Sequence, residues 1–181
     1  MAALPEFAAG LWEEAKRFLE KAEEDGPSDG AIAFVHAALM LGFASFEAHV
    51  NAMADDFLTT SSLNPHERGL LGEHIVELVD GEFQVKEVLK VQRLEDRVLF
   101  LCRRFSKSPI DRSSSYWGEF MAAARLRNRL THPKPGALVI ELEEVRRALT
   151  AIIELLNVMC LSLYRKKLPT HGRGLSSKRS F

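Results

Sequence analysis

One stretch of the chain gathers the residue types that phosphoryl chemistry uses. Arg125-Leu126-Arg127-Asn128-Arg129-Leu130-Thr131-His132-Pro133-Lys134-Pro135 combines cations, an asparagine and a histidine at the end of a helix-like pattern. A histidine near its ordinary pKa can take the proton from a ribose 2′-OH or give one to a leaving oxygen. An arginine fork can hold the non-bridging phosphate oxygens as charge builds in the transition state. This chemistry needs no metal ion and no cofactor, and none is expected. Arg127 and His132 are the candidate catalytic pair, with Arg125, Arg129 and Lys134 as candidate RNA contacts.

Spacing alone does not select this pair. With a gap of four to six residues, Arg68…His74 and Arg165…His171 also qualify. The first rival is interrupted by Gly69 and Gly72, and the second crosses Pro169. Only Arg127…His132 has a polar residue directly after the arginine, an amphipathic helix before it and a proline after the histidine. Asn128 and His132 are four apart and share a helix face, as do Arg127 and Thr131. Pro133 disfavours helical backbone at His132. The helix should therefore end near Thr131, with His132 turning off its end and Asn128 placed to hydrogen-bond the imidazole. The bland alternative is a capping histidine with surface arginines.

The elements that must position this end read as helices. A first helix is expected over 5–24, with Phe7, Leu11, Phe18 and Leu19 inward, ended by the turn Asp25–Gly30. A second, over about 31–58, carries Phe43, Phe46, Val50, Met53 and Phe57 at steps of three and four. Asn64-Pro65-His66-Glu67 reads as a cap that opens a short extra helix with Leu70, Leu71, Ile75 and Leu78, ended by Asp80-Gly81. Residues 85–106 form the next, with Val91, Leu94, Val98, Leu101 and Phe105. The motif helix spans 115–131, and Pro133, Pro135 and Gly136 stiffen its exit. Leu138–Leu142 only hints at a strand before a closing helix over about 141–166. The expected fold is all-α: an antiparallel up-and-down bundle of four to five main helices plus a short extra helix. It forms a single domain over 1–168, followed by a basic, disordered tail over 169–181.

Charge is polarised although the net charge is −1. Residues 1–30 hold eight acids against three bases, whereas 103–134 hold eight bases against two acids. The positive part surrounds the motif. Cys102 and Cys160 lie in apolar helical runs and read as buried hydrophobes. No Cys or His pair falls at zinc spacing. The N-terminus lacks a signal-peptide layout, and the apolar run Ala151–Leu163 is too short to span a bilayer. A cytoplasmic protein without membrane association is expected.

At Arg127-Asn128-Arg129-Leu130-Thr131-His132 the chain resembles the HEPN superfamily of small helical RNA-processing and defence domains, in the form of its motif with a polar residue after the arginine. Ser45-Phe46-Glu47-Ala48-His49-Val50-Asn51 is a second, less specific likeness. Together they cover about residues 31–166. The resemblance implies a metal-independent endoribonuclease acting as a homodimer, two motifs meeting in one basic cleft. Its products would be a 2′,3′-cyclic phosphate and a 5′-hydroxyl. It implies Arg127 and His132 as the catalytic pair and Asn128 as an orienting residue. Glu47 and Asn51, four apart on the second helix, would reach the motif and hold Arg127. Relatives paired with nucleotidyltransferase antitoxins often carry tyrosine two places after the histidine; Lys134 stands there instead. The expected setting is a toxin–antitoxin or anti-phage system, with an antitoxin or other partner protein. The alternative is a non-catalytic helical module that binds RNA or a protein partner.

Overall fold

The computed structural model describes residues 4–134 and 139–181. Its elements are α1 (Leu4–Asp25), α2 (Asp29–Leu58), α3 (Pro65–Leu71), β1 (His74–Val79), β2 (Glu82–Leu89), α4 (Leu94–Phe105), α5 (Ser115–Thr131) and α6 (Leu142–Tyr164), followed by a 3-10 turn at His171–Arg173. The protein is mainly α-helical, and the all-α expectation is corrected by the antiparallel hairpin β1–β2.

That hairpin replaces the helices expected around residues 72–79 and 85–93. Ile75 and Leu78 suggest a helical step, but Ile75-Val76 and Phe83…Val85 are β-formers flanking Asp80-Gly81. Asp80 and Gly81 both take positive φ, 51° and 85°, as a two-residue hairpin loop requires. Gly69 then allows β1 to lie on α3, because a Cβ there would collide with Val76. Val91, expected in the stripe of α4, is 76% exposed in the link before that helix.

The core lies where α2 and α6 meet. Leu39, Phe43, Phe46 and Val50 of α2 are buried with Leu149, Ile152, Leu156 and Met159 of α6. Gly42 makes the close approach possible, since a Cβ would run into the Leu149 side chain. By length and composition, α2 and α6 are apolar enough to cross a membrane; here their buried stripes form this core.

On α1 the buried stripe is Ala8, Trp12, Ala15, Leu19 and Ala22, and Phe7 points outward. This is a rotation from the expected face. Alanines let α1 approach α2 closely enough for the Ser45 hydroxyl to donate to the Ala8 carbonyl at 2.8 Å.

Capping explains the helix starts. Ser28 accepts from the Ala31 N–H at α2, Asn64 and Glu67 form a reciprocal box at α3, and Ser114 accepts from the Trp117 N–H at α5. The expected strand hint at Leu138–Leu142 yields no strand over Val139–Glu141, and α6 begins at Leu142. Leu138 lies outside the described residues, as do Pro135 and Gly136 of the expected exit.

The segment expected as a disordered tail lies against α1. Lys16, fully buried, bonds Glu13 at 2.8 Å and the Ser176 carbonyl at 2.7 Å. Glu13 also accepts from the Lys178 N–H at 2.7 Å. Phe181 packs edge-on to Phe18. The acidic α1 supplies the partners that a basic tail would otherwise lack. Burial pushes the Glu13 carboxyl up, but hydrogen bonds from Lys16 and Lys178 and the nearby charges of Lys16 and Arg173 leave it below its ordinary value.

Candidate active site

Helix α5 is held by its apolar face. Phe120 packs on Phe46 with ring centroids 4.8 Å apart, and Trp117 packs on Phe120. Further along, the Arg127 guanidinium lies over the Phe43 ring, 5.3 Å from its centroid. Phe120 also meets Phe43, so one short stretch of α2 receives both Phe120 and Arg127. These contacts hold α5 against the middle of α2.

Helix α5 stops at Thr131. His132 leaves helical backbone (φ −132°, ψ 65°) while its N–H still bonds the Asn128 carbonyl at 2.9 Å. Pro133 accounts for the break. His132, Pro133 and Lys134 are exposed. The Thr131 hydroxyl donates to the Arg127 carbonyl at 3.2 Å and tightens the last turn.

Arg127 is half-buried, and among the described residues its guanidinium has no hydrogen-bond or ion-pair partner; its Nε is buried and unpaired. Phe43 gives it a π face, an attraction of about 0.5–2 kcal/mol that leaves its donors open.

The supporting residues differ from expectation. Asn128 is exposed, and its side chain makes no bond to His132; the link between the two residues runs through the backbone. Asn51 does hold an arginine, but it is Arg97, which donates to Asn51 Oδ1 at 2.7 Å. Glu47 is exposed and forms no ion pair with Arg127. It acts on Arg97 through its charge: burial pulls the Arg97 guanidinium down, while Glu73, Glu47 and Asp55 oppose that pull. Arg129 is engaged at 2.9 Å by Glu144 and at 2.6 Å by the Val139 carbonyl, so it fastens the start of α6 to the end of α5.

Arg97 is the residue that sequence reasoning missed. It also bonds the Leu71 carbonyl at 2.9 Å and pairs with Glu73 at 3.1 Å. Its signal was available: it lies three after Leu94 and four before Leu101, inside an apolar stripe. Phe43 was read only as core, yet it supports Arg127.

Arg125 is exposed beside a groove of about 810 Å³ between α5 and α6, whose floor includes Ala122, Leu126 and Ala148. Arg125, Arg129, Arg146 and Arg147 share its rim with Glu119, Glu143 and Glu144.

Burial pushes the Cys102 thiol up to about 12 and Cys160 up to about 11, so neither supplies a thiolate near neutral pH. Among the described residues no three of His, Cys, Asp or Glu gather in a metal-binding group. Comparison with family models, with curated proteins and with solved structures finds no match.

Proposed function

We propose that this chain is a metal-independent endoribonuclease of HEPN type, acting as a homodimer in a toxin–antitoxin or anti-phage setting in the cytoplasm. The observation that carries this reading is the end of α5. An arginine with open donors lies on an aromatic ring, and five residues on an exposed histidine stands just off the helix. In the reaction the ribose 2′-oxygen attacks phosphorus, its proton passes to His132, and the P–O5′ bond breaks. The leaving 5′-oxygen takes up a proton, and Arg127 balances the charge on the non-bridging oxygens. A second copy completes the cleft, and Arg125 and Lys134 contact the RNA backbone. In this reading the helices form an antiparallel up-and-down bundle into which the hairpin is inserted.

The test is incubation with RNA in EDTA. The wild type should give 2′,3′-cyclic phosphate and 5′-hydroxyl ends. His132→Ala and Arg127→Ala should each cut slower by a factor of about 100 or more. Equal cutting by wild type and His132→Ala removes catalysis from the reading.

A second reading is a non-catalytic module binding RNA or a partner protein. The engagement of Asn51 by Arg97 and of Arg129 by Glu144 favours it, since both residues are then structural. RNA binding that survives without cleavage in the same assay selects it.

A further inference from the structure

The hairpin carries apolar surface that its own chain leaves open. Leu78 and Phe83 face each other across the strands and remain 64% and 52% exposed. They lie on the face turned toward α3, where Val76 sits over Gly69 and Phe83 meets the His66 ring. Helix α3 is only seven residues long and covers part of that face. The opposite face carries Ile75, Glu77 and Val79 of β1 with Glu82, Gln84 and Lys86 of β2.

Among the described residues the sheet has two strands, and no strand lies beside the outer edge of β2. A two-residue loop at Asp80-Gly81 makes Val79 and Glu82 the closing hydrogen-bonded pair, and bonded and non-bonded pairs then alternate. Glu82, Gln84 and Lys86 therefore turn their N–H and C=O groups inward to β1. Phe83 and Val85 turn theirs outward.

We propose that this edge docks a second copy of the same chain, β2 against β2 and antiparallel, about a two-fold axis at Gln84. Outward groups must meet outward groups, so the axis passes through a residue position and not between two. An axis at Lys86 opposes two lysines, and one at Glu87 opposes two glutamates. An axis at Val85 sets Phe83 against Glu87 and Glu82 against Val88. The axis at Gln84 sets Glu82 across from Lys86 of the other copy, twice, in non-bonded pairs where side chains approach most closely. It also sets Phe83 across from Val85 of the other copy, twice, an aromatic–β-branched pair. The four-stranded sheet continues the apolar face of Val76, Leu78, Phe83 and Val85 across the axis and covers Phe83.

This contact lies apart from the candidate active site. Arg127 meets Phe43 on α2, whereas the base of the hairpin is tied through Glu73 and Arg97 to Asn51, about two turns further along that helix. It stands or falls independently of RNA cleavage.

A cysteine at the axis gives the first test. A non-bonded antiparallel pair holds its Cα atoms about 4.5 Å apart, within disulfide range. The native Cys102 and Cys160 are buried. Gln84→Cys protein at micromolar concentration under mild oxidation should become mostly covalent dimer. Glu77→Cys, exposed opposite Gln84 on β1, should not. The charge pairs give the second test, read by the same cross-link so that association elsewhere on the chain does not enter. In the Gln84→Cys protein, Lys86→Glu should slow disulfide formation about tenfold, and the double reversal Glu82→Lys/Lys86→Glu should restore it. Cross-linking of Gln84→Cys no faster than of Glu77→Cys overturns the proposal. So does a double reversal that cross-links as slowly as the single one.

Discussion

Two arginines approach the same helix, α2, and are treated in opposite ways. Arg97 is 2% exposed and is matched by Asn51, the Leu71 carbonyl and Glu73. Arg127, resting on Phe43 about two turns earlier, has no such bonds among the described residues. A deeply buried guanidinium needs its charge balanced and most of its donors met. Arg97 pairs both terminal nitrogens, and only its buried Nε, like that of Arg127, lacks a partner among the described residues. A half-buried one at a helix end can keep water and leave its donors open. The first arrangement ties α2, α4 and the hairpin into one joint. The second leaves a cation able to receive an anion.

Truncating each arginine should separate these roles most clearly. Arg97→Ala should cost about 3 kcal/mol or more in urea unfolding, because Glu73 and Asn51 are left inside without their partner. Arg127→Ala should cost no more than about 2 kcal/mol by the same measurement, since only the ring contact is lost. Equal losses would erase the distinction. Asn51→Ala comes next, at about 1.5–3 kcal/mol for one hydrogen bond to a charged group. Cleavage per folded molecule should stay unchanged; a specific fall in rate would return Asn51 to the motif. Glu144→Ala removes both the pair with Arg129 and the bond from the Glu141 N–H that caps α6, and should move the thermal midpoint by the equivalent of about 1–2 kcal/mol.

The smallest effect concerns His49, whose Nδ1–H bonds the Ser45 carbonyl at 2.8 Å. Burial lowers its pKa from the ordinary 6.5, partly offset by that bond. The unfolded chain therefore binds more protons than the folded one just below that value. The stability contribution is full above the unfolded pKa and is lost as pH falls through the folded one. His49→Gln should flatten this part of a stability–pH curve.

Helices with long apolar stripes were legible from the sequence: α2 and α6, and the span of α5, follow from periodicity and caps. So was the exit of His132 from its helix, because Pro133 acts on the residue beside it. The hairpin was misread because Ile75 and Leu78 also satisfy a helical step, and short apolar runs do not distinguish the two periods. The partner of Asn51 was misassigned for a different reason. A side chain on a helix face can reach any cation that tertiary packing brings there, and α4 arrives before α5 does. The docking of the last residues on α1 depends on complementary charges more than 150 positions apart, such as Glu13 and Lys178. Neither segment contains that signal by itself.

The close approach at Gly42 has a consequence for how the chain is made. Helices α5 and α6, which together cover the Leu39–Phe43–Phe46 face of α2, begin at Ser115 and Leu142, over fifty and over eighty residues after α2 ends. During synthesis α1 and α2 can pair while that face still lacks its main cover. Until α5 and α6 leave the ribosome the nascent chain presents a bare aromatic strip, a surface suited to a chaperone.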